Sequence, residues 1–212
     1  MIATVSIGIS IAAFMVSVAT AWFTLLRRGT VRMTKPTVVF FGPDGAPSRH
    51  GAPAKPKVFL RSLVYSTGKR GHIIESMFVT LRRGETRQTF NIWIYDQNGL
   101  ARGSGVYVGE TGVVCNHHFL LPEDGMRFEF LAGDYQLDVY AALVRRSASL
   151  HLCSVHLIIG EQAGRQLKDP ERGIYFDWGQ DAQRYQAHVR KKTALKENPL
   201  AFLVADAEAS PR

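Results

Sequence analysis

Only two cysteines, Cys115 and Cys153, occur in the 212 residues, too few for a disulfide-stapled scaffold. Each lies inside an apolar run of the kind that forms a β-strand, not in a loop-rich framework. We therefore expect two buried free thiols in a reducing compartment. The alternative is one disulfide between neighbouring strands of an exported domain.

The chain also lacks the motifs that accompany catalysis and nucleotide binding. There is no G-x-S-x-G elbow around a nucleophilic serine. Residues 67–71 (Thr-Gly-Lys-Arg-Gly) have neither the long glycine-rich lead nor the trailing Ser or Thr of a phosphate-binding loop. Asp134 and Asp138 lie close in sequence, but solvated charge on a wet strand face explains them. We expect a protein that is not an enzyme and that holds no cofactor.

Histidines and cysteines provide the one competing chemistry. The runs Cys115-Asn-His117-His118 and His151-Leu-Cys153-Ser-Val-His156 place soft ligands in two strand-like segments. Alternation along a strand predicts that Cys115 shares a face with His117, and His151 with Cys153. Four such ligands would suit zinc, although the short CxxC knuckles of structural zinc sites are missing. The interpretation we prefer has the cysteines in the core and the histidines at strand edges.

Charge is absent from the start of the chain. The 25 residues from 2 to 26 are uncharged and mostly apolar. As a helix they would be about 38 Å long, enough to cross a hydrocarbon core of about 30 Å. Trp22 would lie in the interfacial aromatic belt. We predict a transmembrane anchor over 2–26 that contacts the lipid bilayer. The alternative is a cleaved signal peptide, but the apolar run is too long for one and no basic segment precedes it.

A basic juxtamembrane segment, 27–36, follows the anchor, and no acid occurs before Asp44. Its charges are Arg27, Arg28, Arg32 and Lys35. The end of a transmembrane helix that carries more Lys and Arg usually remains on the cytoplasmic side of the membrane. We therefore expect the N-terminus outside and the domain in the cytoplasm. An extracytoplasmic domain is the alternative. The same four charges could lie on anionic lipid.

The net charge of +8 falls to +4 without these four residues, since 22 Lys and Arg then face 18 acids. The remaining clusters, Lys69 with Arg70 and Arg82 with Arg83 and Arg87, flank consecutive turns of a predicted meander and so lie at opposite ends of a sheet. They cannot form one patch for a phosphate backbone. We expect no nucleic-acid partner.

Short β-rich runs dominate residues 37–160, and a Gly- and Pro-rich loop at 42–57 interrupts them. With no long helical pattern between strands, they predict a mainly β fold, an antiparallel β-sandwich. We expect Phe90, Ile92 and Ile94 on one face opposite Trp93, and Gln136 with Asp138 on a wet face. The predicted strands are 37–41, 57–66, 73–82, 88–95, 105–109, 112–121, 127–131, 134–144 and 149–159.

The segment 131–139, Leu-Ala-Gly-Asp-Tyr-Gln-Leu-Asp-Val, resembles the tyrosine corner of immunoglobulin-like sandwiches. The resemblance implies that the Tyr135 hydroxyl bonds backward to the backbone and that Leu137 enters the core. Leu137 stands where antibody domains carry a cysteine, so their inter-sheet disulfide is not expected. A likeness of fold carries over no function.

A C-terminal extension, 161–212, completes the chain. Residues 180–196 lack Gly and Pro and predict a short helix, which Asn198-Pro199 would end before a mobile tail. In the anchor, Gly8 with Ala12 and Ser6 with Ser10 have the small-xxx-small spacing that allows homo-oligomers.

Taken together, these features favour a membrane-anchored, non-enzymatic module that binds an unidentified protein partner or helps assemble a membrane complex. The competing hypothesis is a metal-dependent or enzymatic domain built around Cys115, His117, His151 and Cys153.

Overall fold

The computed structural model describes residues 2–23, 29–44, 55–96, 100–103, 105–122 and 128–191. Several predictions fall partly or wholly outside these ranges. They are the end of the anchor with Arg27 and Arg28, most of the 42–57 loop, residue 127, and everything after 191.

The N-terminal apolar run forms one helix, α1 (Ile2–Ala21). It is long and apolar enough to cross a membrane, and it is the one such helix in the described part of the chain. Its hydroxyl groups bond within the helix: Ser10, Ser17 and Thr20 each donate to the carbonyl four residues back, at 2.8 to 3.0 Å. These polar groups are therefore satisfied without water, as a bilayer requires.

The rest of the described chain is mainly antiparallel β, as predicted. Its strands are β1 (Val31–Met33), β2 (Val38–Pro43), β3 (Pro56–Ser66), β4 (His72–Arg83), β5 (Thr86–Phe90), β6 (Ile92–Asp96), β7 (Leu100–Arg102), β8 (Val106–Val108), β9 (Val113–Leu120), β10 (Gly133–Leu143), β11 (Leu150–Ile159), β12 (Arg172–Gly179) and β13 (Arg184–Lys191). A short helix, α2 (Glu161–Gln166), follows β11.

These strands form two sheets. The larger has the order β13-β12-β2-β3-β9-β6-β7, with β1 beside β3. The smaller has the order β11-β10-β4-β5, with β8 beside β4. Alternate residues of both sheets enter one hydrophobic core, where Phe41 of the larger sheet meets Tyr135 of the smaller with ring centroids 5.9 Å apart.

The predicted strand 88–95 is wrong as a single element. It is divided at Asn91, because β5 pairs with β4 in the smaller sheet and β6 pairs with β9 in the larger. After the change of sheet, Trp93 is buried, whereas Ile92 and Ile94 are half-buried. The predicted shared face of Phe90, Ile92 and Ile94 is therefore wrong for Phe90, which lies in the core with Trp93.

The predicted helix at 180–196 is wrong over its described part. Residues 180–183 form a turn, and β13 then pairs with β12 along its whole length. Tyr185 and Val189 pack against the core. Residues four apart share a face in a strand as well as in a helix, so this spacing fits both. Pairing with β12 selects the strand.

The β structure also extends beyond 37–160. Strand β1 lies within the predicted juxtamembrane segment, and β12 pairs with β2 inside the larger sheet. Strands β2 and β3 remain paired through Pro43 and Pro56, so the 42–57 loop is shorter than predicted. The predicted strand 127–131 is wrong over its described part, because residues 128–131 have no regular secondary structure and belong to neither sheet.

Candidate functional site

Tyr135 and Leu137 lie near the start of β10 and both are buried. The Tyr135 hydroxyl donates to the Leu131 carbonyl at 2.8 Å and accepts from the Leu131 amide at 3.0 Å. Burial raises the pKa of Tyr135, although the Leu131 hydrogen bond and the nearby Arg83 act in the opposite direction. Both side chains hold the fold together, and neither is accessible to a ligand.

The four residues of the competing metal hypothesis lie in different sheets. Cys115 and His117 share the inner face of β9 in the larger sheet, as predicted. His151 and Cys153 belong to β11 in the smaller sheet. The structure does not bring the four together. Among the described residues there is no group of three or more His, Cys, Asp or Glu side chains that could hold a metal ion.

His117 is a buried hydrogen-bond acceptor. The Trp93 indole Nε1 donates to its Nδ1 at 3.2 Å. Burial, with a smaller effect of His118, lowers the pKa of His117 to about 3. The ring is therefore neutral at ordinary pH. Its proton is on Nε2, because Nδ1 accepts.

Cys115 and Cys153 do not form a disulfide. Cys115 is buried, and Cys153 is half-buried against the core. Burial raises the pKa of the Cys153 thiol, while Lys35 lowers it to a smaller extent. A raised pKa reduces the fraction of reactive thiolate.

His151 and Cys153 do not share a face, which corrects the alternation prediction. Tyr140 pairs with His151 and the adjacent Val139 pairs with Cys153, so Leu152 is a bulge residue. Directly paired residues point to the same side of a sheet. His151 therefore points outward with Tyr140, at a ring distance of 5.2 Å, and Cys153 points inward with Val139.

The bulge creates a polar cluster on the outer face of the smaller sheet, which the sequence did not indicate. Asp138, predicted to be wet, is only 4% exposed. Its Oδ1 accepts from Ser154 Oγ at 2.5 Å and from Gln136 Nε2 at 3.1 Å. Burial by itself raises the pKa of Asp138, but these hydrogen bonds and the nearby His151 outweigh it, so the pKa is lowered.

Asp, Ser and His here do not have the geometry of a nucleophilic triad. In a triad the histidine lies between the other two and uses both ring nitrogens. In this cluster the Ser154 hydroxyl donates directly to the carboxylate. His151 Nε2 lies 3.0 Å from Ser154 Oγ and 3.5 Å from Asp138 Oδ1. The cluster joins β10 to β11 through the hydrogen bond from Ser154 to Asp138.

A groove of about 510 Å³ lies between β11 and the hairpin of β12 and β13. Its apolar wall contains Trp178 and Tyr185, whose rings meet edge to face at 5.0 Å, and Ile158, which is 57% exposed. Lys35 lies on the Trp178 ring at 4.5 Å. The Tyr185 hydroxyl donates to the Pro36 carbonyl at 2.7 Å, which holds the 35–36 backbone against the hairpin.

Two cationic side chains, Lys35 and Arg184, face the groove, and two strand edges that no described strand covers border it. Lys35, His156 and Arg184 line it, and no acidic side chain of the described residues does. Within those residues β11 pairs with β10 alone and β13 with β12 alone. A free edge presents unpaired backbone amides and carbonyls. The sequence had marked Lys35 only as a membrane-flanking charge.

Of the other predicted membrane-flanking residues, Trp22 and Arg32 are described, and neither lines this groove. Trp22 follows α1 and is exposed, and Arg32 is exposed on β1. A second cavity, of about 630 Å³, lies at the far end of the domain, which we define as the end where β2 finishes and β3 begins. Phe128, Lys168 and Arg172 are among the residues that line it.

Comparisons with protein-family models, with curated proteins and with solved structures found no match for this chain.

Proposed function

We propose that this chain is a single-pass membrane protein whose β-sandwich domain binds a protein partner, without catalysis, in the groove beside β11. The observation that carries the proposal is the groove itself. It combines half-buried aromatic rings, the exposed Ile158, the basic side chains of Lys35 and Arg184, and two strand edges that no described strand covers. We also assign the sandwich to the immunoglobulin-like class, on the strength of the Tyr135 to Leu131 hydrogen bonds.

Membrane attachment is supported by the uniform apolar surface of α1 and by its internally bonded hydroxyl groups. The basic flank supports a cytoplasmic domain. Gly8, which has open space around its Cα, supports close approach of a second anchor helix.

The occupant that suits the groove is an extended segment of the partner that carries acidic side chains. Such a segment would add to the edge of β11 by backbone hydrogen bonds, as in strand-addition complexes. Its acids would pair with Lys35 and Arg184, and an apolar side chain would cover Ile158 and Trp178. Charge would select the partner, and the backbone ladder and aromatic contact would hold it.

Site-specific crosslinking in living cells tests this function. A photoreactive amino acid replaces Ile158 in the full-length chain, and the adduct is mapped by mass spectrometry. We expect one discrete adduct, joined to an acidic extended segment of a single protein. The matched control has the same photoreactive group at Leu131, an exposed apolar position at the far end of the domain.

Charge reversal provides the second readout. Lys35→Glu with Arg184→Glu should abolish the adduct at Ile158. Arg82→Glu with Arg87→Glu, a directly paired position on β4 and β5 near the turn that joins them, should leave it unchanged. Equal crosslinking from Leu131, or an adduct that survives reversal in the groove, would refute the proposed function.

A further inference from the structure

The chain enters the domain beside the turn that joins β3 to β4. The Thr30 amide donates to Thr67 Oγ1 at 2.8 Å, and the Thr67 amide donates to the Thr30 carbonyl at 2.9 Å. A Cβ on Gly29 would lie 2.3 Å from the Gly68 amide nitrogen, so the two backbones touch. Gly29 and Thr30, where the described chain resumes after residue 23, are therefore attached to the 67–71 turn.

Chain length limits how far this turn can lie from the anchor. Six peptide units separate Phe23 from Gly29, and they reach at most about 21 Å when fully extended. If α1 spans the bilayer, which rests on the proposed function, this end of the domain lies within that distance of the membrane surface. We refer to it below as the anchored end.

Exposed apolar side chains are concentrated at the anchored end. Beyond α1 and the residues that follow it, the described chain has six exposed large apolar side chains, and four of them are here. Leu131 lies at the far end of the domain, and Ile158 lies in the groove. The four are Ile73, Tyr107, Val114 and Val144.

Three of the four form one patch. Ile73 (48% exposed) and Tyr107 (63% exposed) are direct partners across β4 and β8. Val144 (46% exposed) adjoins them, because its amide donates to the Ile73 carbonyl at 3.0 Å. The Tyr107 ring covers Gly71, where a Cβ would lie 2.4 Å from the ring.

Positive charge surrounds this patch. Lys69 and Arg70 are exposed in the 67–71 turn, and Arg145 and Arg146 are exposed in the turn after β10. Both turns lie at the anchored end, since β4 begins where β10 ends. The exposed acids of these elements are Glu75 on β4 and Glu110 in the turn before β9. The cations outnumber them by two.

We propose that the anchored end lies directly on the surface of an anionic bilayer. Tyr107, Ile73 and Val144 enter the interfacial region, and the four cations contact lipid headgroup phosphates and carboxylates. A tyrosine with an apolar neighbour and flanking cations is the composition that interfacial binding favours. Each Lys or Arg near such a surface contributes about a fivefold preference for it.

The contact would define the direction in which the groove faces. A domain connected only by a flexible tether could tilt freely. A domain whose patch also contacts the bilayer would keep the edge of β11 at a constant angle to the membrane. A second protein that covers the patch instead is the competing explanation, and the test distinguishes the two.

Energy transfer in reconstituted nanodiscs tests the inference with the full-length chain. A donor is attached at Ser147→Cys, in the turn after β10, in a Cys153→Ser background. The acceptor is a labelled lipid headgroup. We expect higher transfer in discs of phosphatidylcholine with phosphatidylserine than in phosphatidylcholine alone, and loss of the difference at high salt. A donor at Gln162→Cys, on α2 at the far end, should show no such rise.

Two quadruple variants separate local charge from net charge. The first neutralises the anchored end and should abolish the lipid-dependent difference: Lys69→Ser, Arg70→Ser, Arg145→Ser and Arg146→Ser. The matched control neutralises four exposed cations elsewhere and should retain it: Arg82→Ser, Arg87→Ser, Arg165→Ser and Lys168→Ser.

Each outcome decides a separate point. Transfer that is equal in the two lipids, or that both quadruple variants reduce equally, overturns the contact with lipid and favours a protein on the patch. Incorporation into the discs, measured as resistance to alkaline extraction, reports on the anchor by itself. A chain that fails to incorporate refutes the anchor, and the inference that depends on it, before lipid charge is tested.

Discussion

At the scale of single residues, Tyr135 connects the start of β10 to the backbone that precedes it. Its hydroxyl satisfies both the amide and the carbonyl of Leu131, and its ring packs edge to face on Phe41 of the other sheet. The side chain therefore contributes to strand entry and to packing between the sheets.

Tyr135→Phe should keep the ring packing and remove both hydrogen bonds. Because two backbone groups of Leu131 then lose a partner, we expect the free energy of unfolding to fall by about 1 to 3 kcal/mol. Denaturant unfolding of the purified chain in mild detergent measures the change. Tyr107→Phe, at an exposed position, should have little effect, and an equal loss in the two variants would contradict the assignment.

His117 makes stability depend on pH. In the unfolded chain its pKa is 6.5, and burial lowers it to about 3 in the folded domain. Between these values the unfolded state binds more protons. The free energy of unfolding is therefore unaffected by protonation of His117 above pH 6.5. As the pH falls below 6.5, protonation of His117 in the unfolded chain lowers it by up to about 1.4 kcal/mol per pH unit.

His117→Gln should flatten this dependence between pH 6.5 and 5, because glutamine can accept from Trp93 but does not titrate. Thermal unfolding measured across this range shows the slope. Removal of an exposed histidine by His156→Gln should leave the slope as in the original chain. The prediction fails if His117→Gln retains the full slope.

At the scale of elements, β12 is part of the larger sheet although it lies beyond the predicted domain boundary. It covers the edge of β2 and contributes Ile174 and Phe176 to the core, where Phe176 packs on Phe41 with ring centroids 5.3 Å apart. The boundary at 160 cannot be used to cut the protein.

A chain that ends at Gly160 should therefore fail to fold. Loss of two buried side chains costs about 2 to 5 kcal/mol each, which approaches the whole stability of a domain. A chain that ends at Lys191 keeps every strand that the structure describes and should retain its β-type circular dichroism spectrum and cooperative melting. A folded, cooperative chain ending at Gly160 would contradict the role of β12.

Strand positions were predictable in large part because apolar alternation is local. The sheet to which each strand belongs was not predictable, because it depends on pairing between distant segments. Trp93 illustrates this limit: β5 and β6 read as one alternating run, yet they belong to different sheets. The polar cluster illustrates it as well, because a bulge at Leu152 reverses the side on which His151 projects.

At the scale of the whole molecule, the side of the membrane on which the domain lies decides which partners it meets. The basic residues after the apolar run predict a cytoplasmic domain. An impermeant thiol reagent should therefore label Ser48→Cys, in a Cys153→Ser background, only after cell lysis. Cys115 is buried and gives little signal. Labelling in intact cells would reverse the orientation and place the groove outside.

The sequence alone determined the features that depend on neighbouring residues. They are the apolar helix, the basic flank, the antiparallel β character and the backward hydrogen bond of Tyr135. Only the tertiary structure decided that 184–191 is a strand, that Asp138 is buried, and that Lys35, Ile158 and Trp178 meet in one groove. The reason is physical: these features arise where strands far apart in the chain pair or pack, and no local pattern specifies which distant strand will be the neighbour.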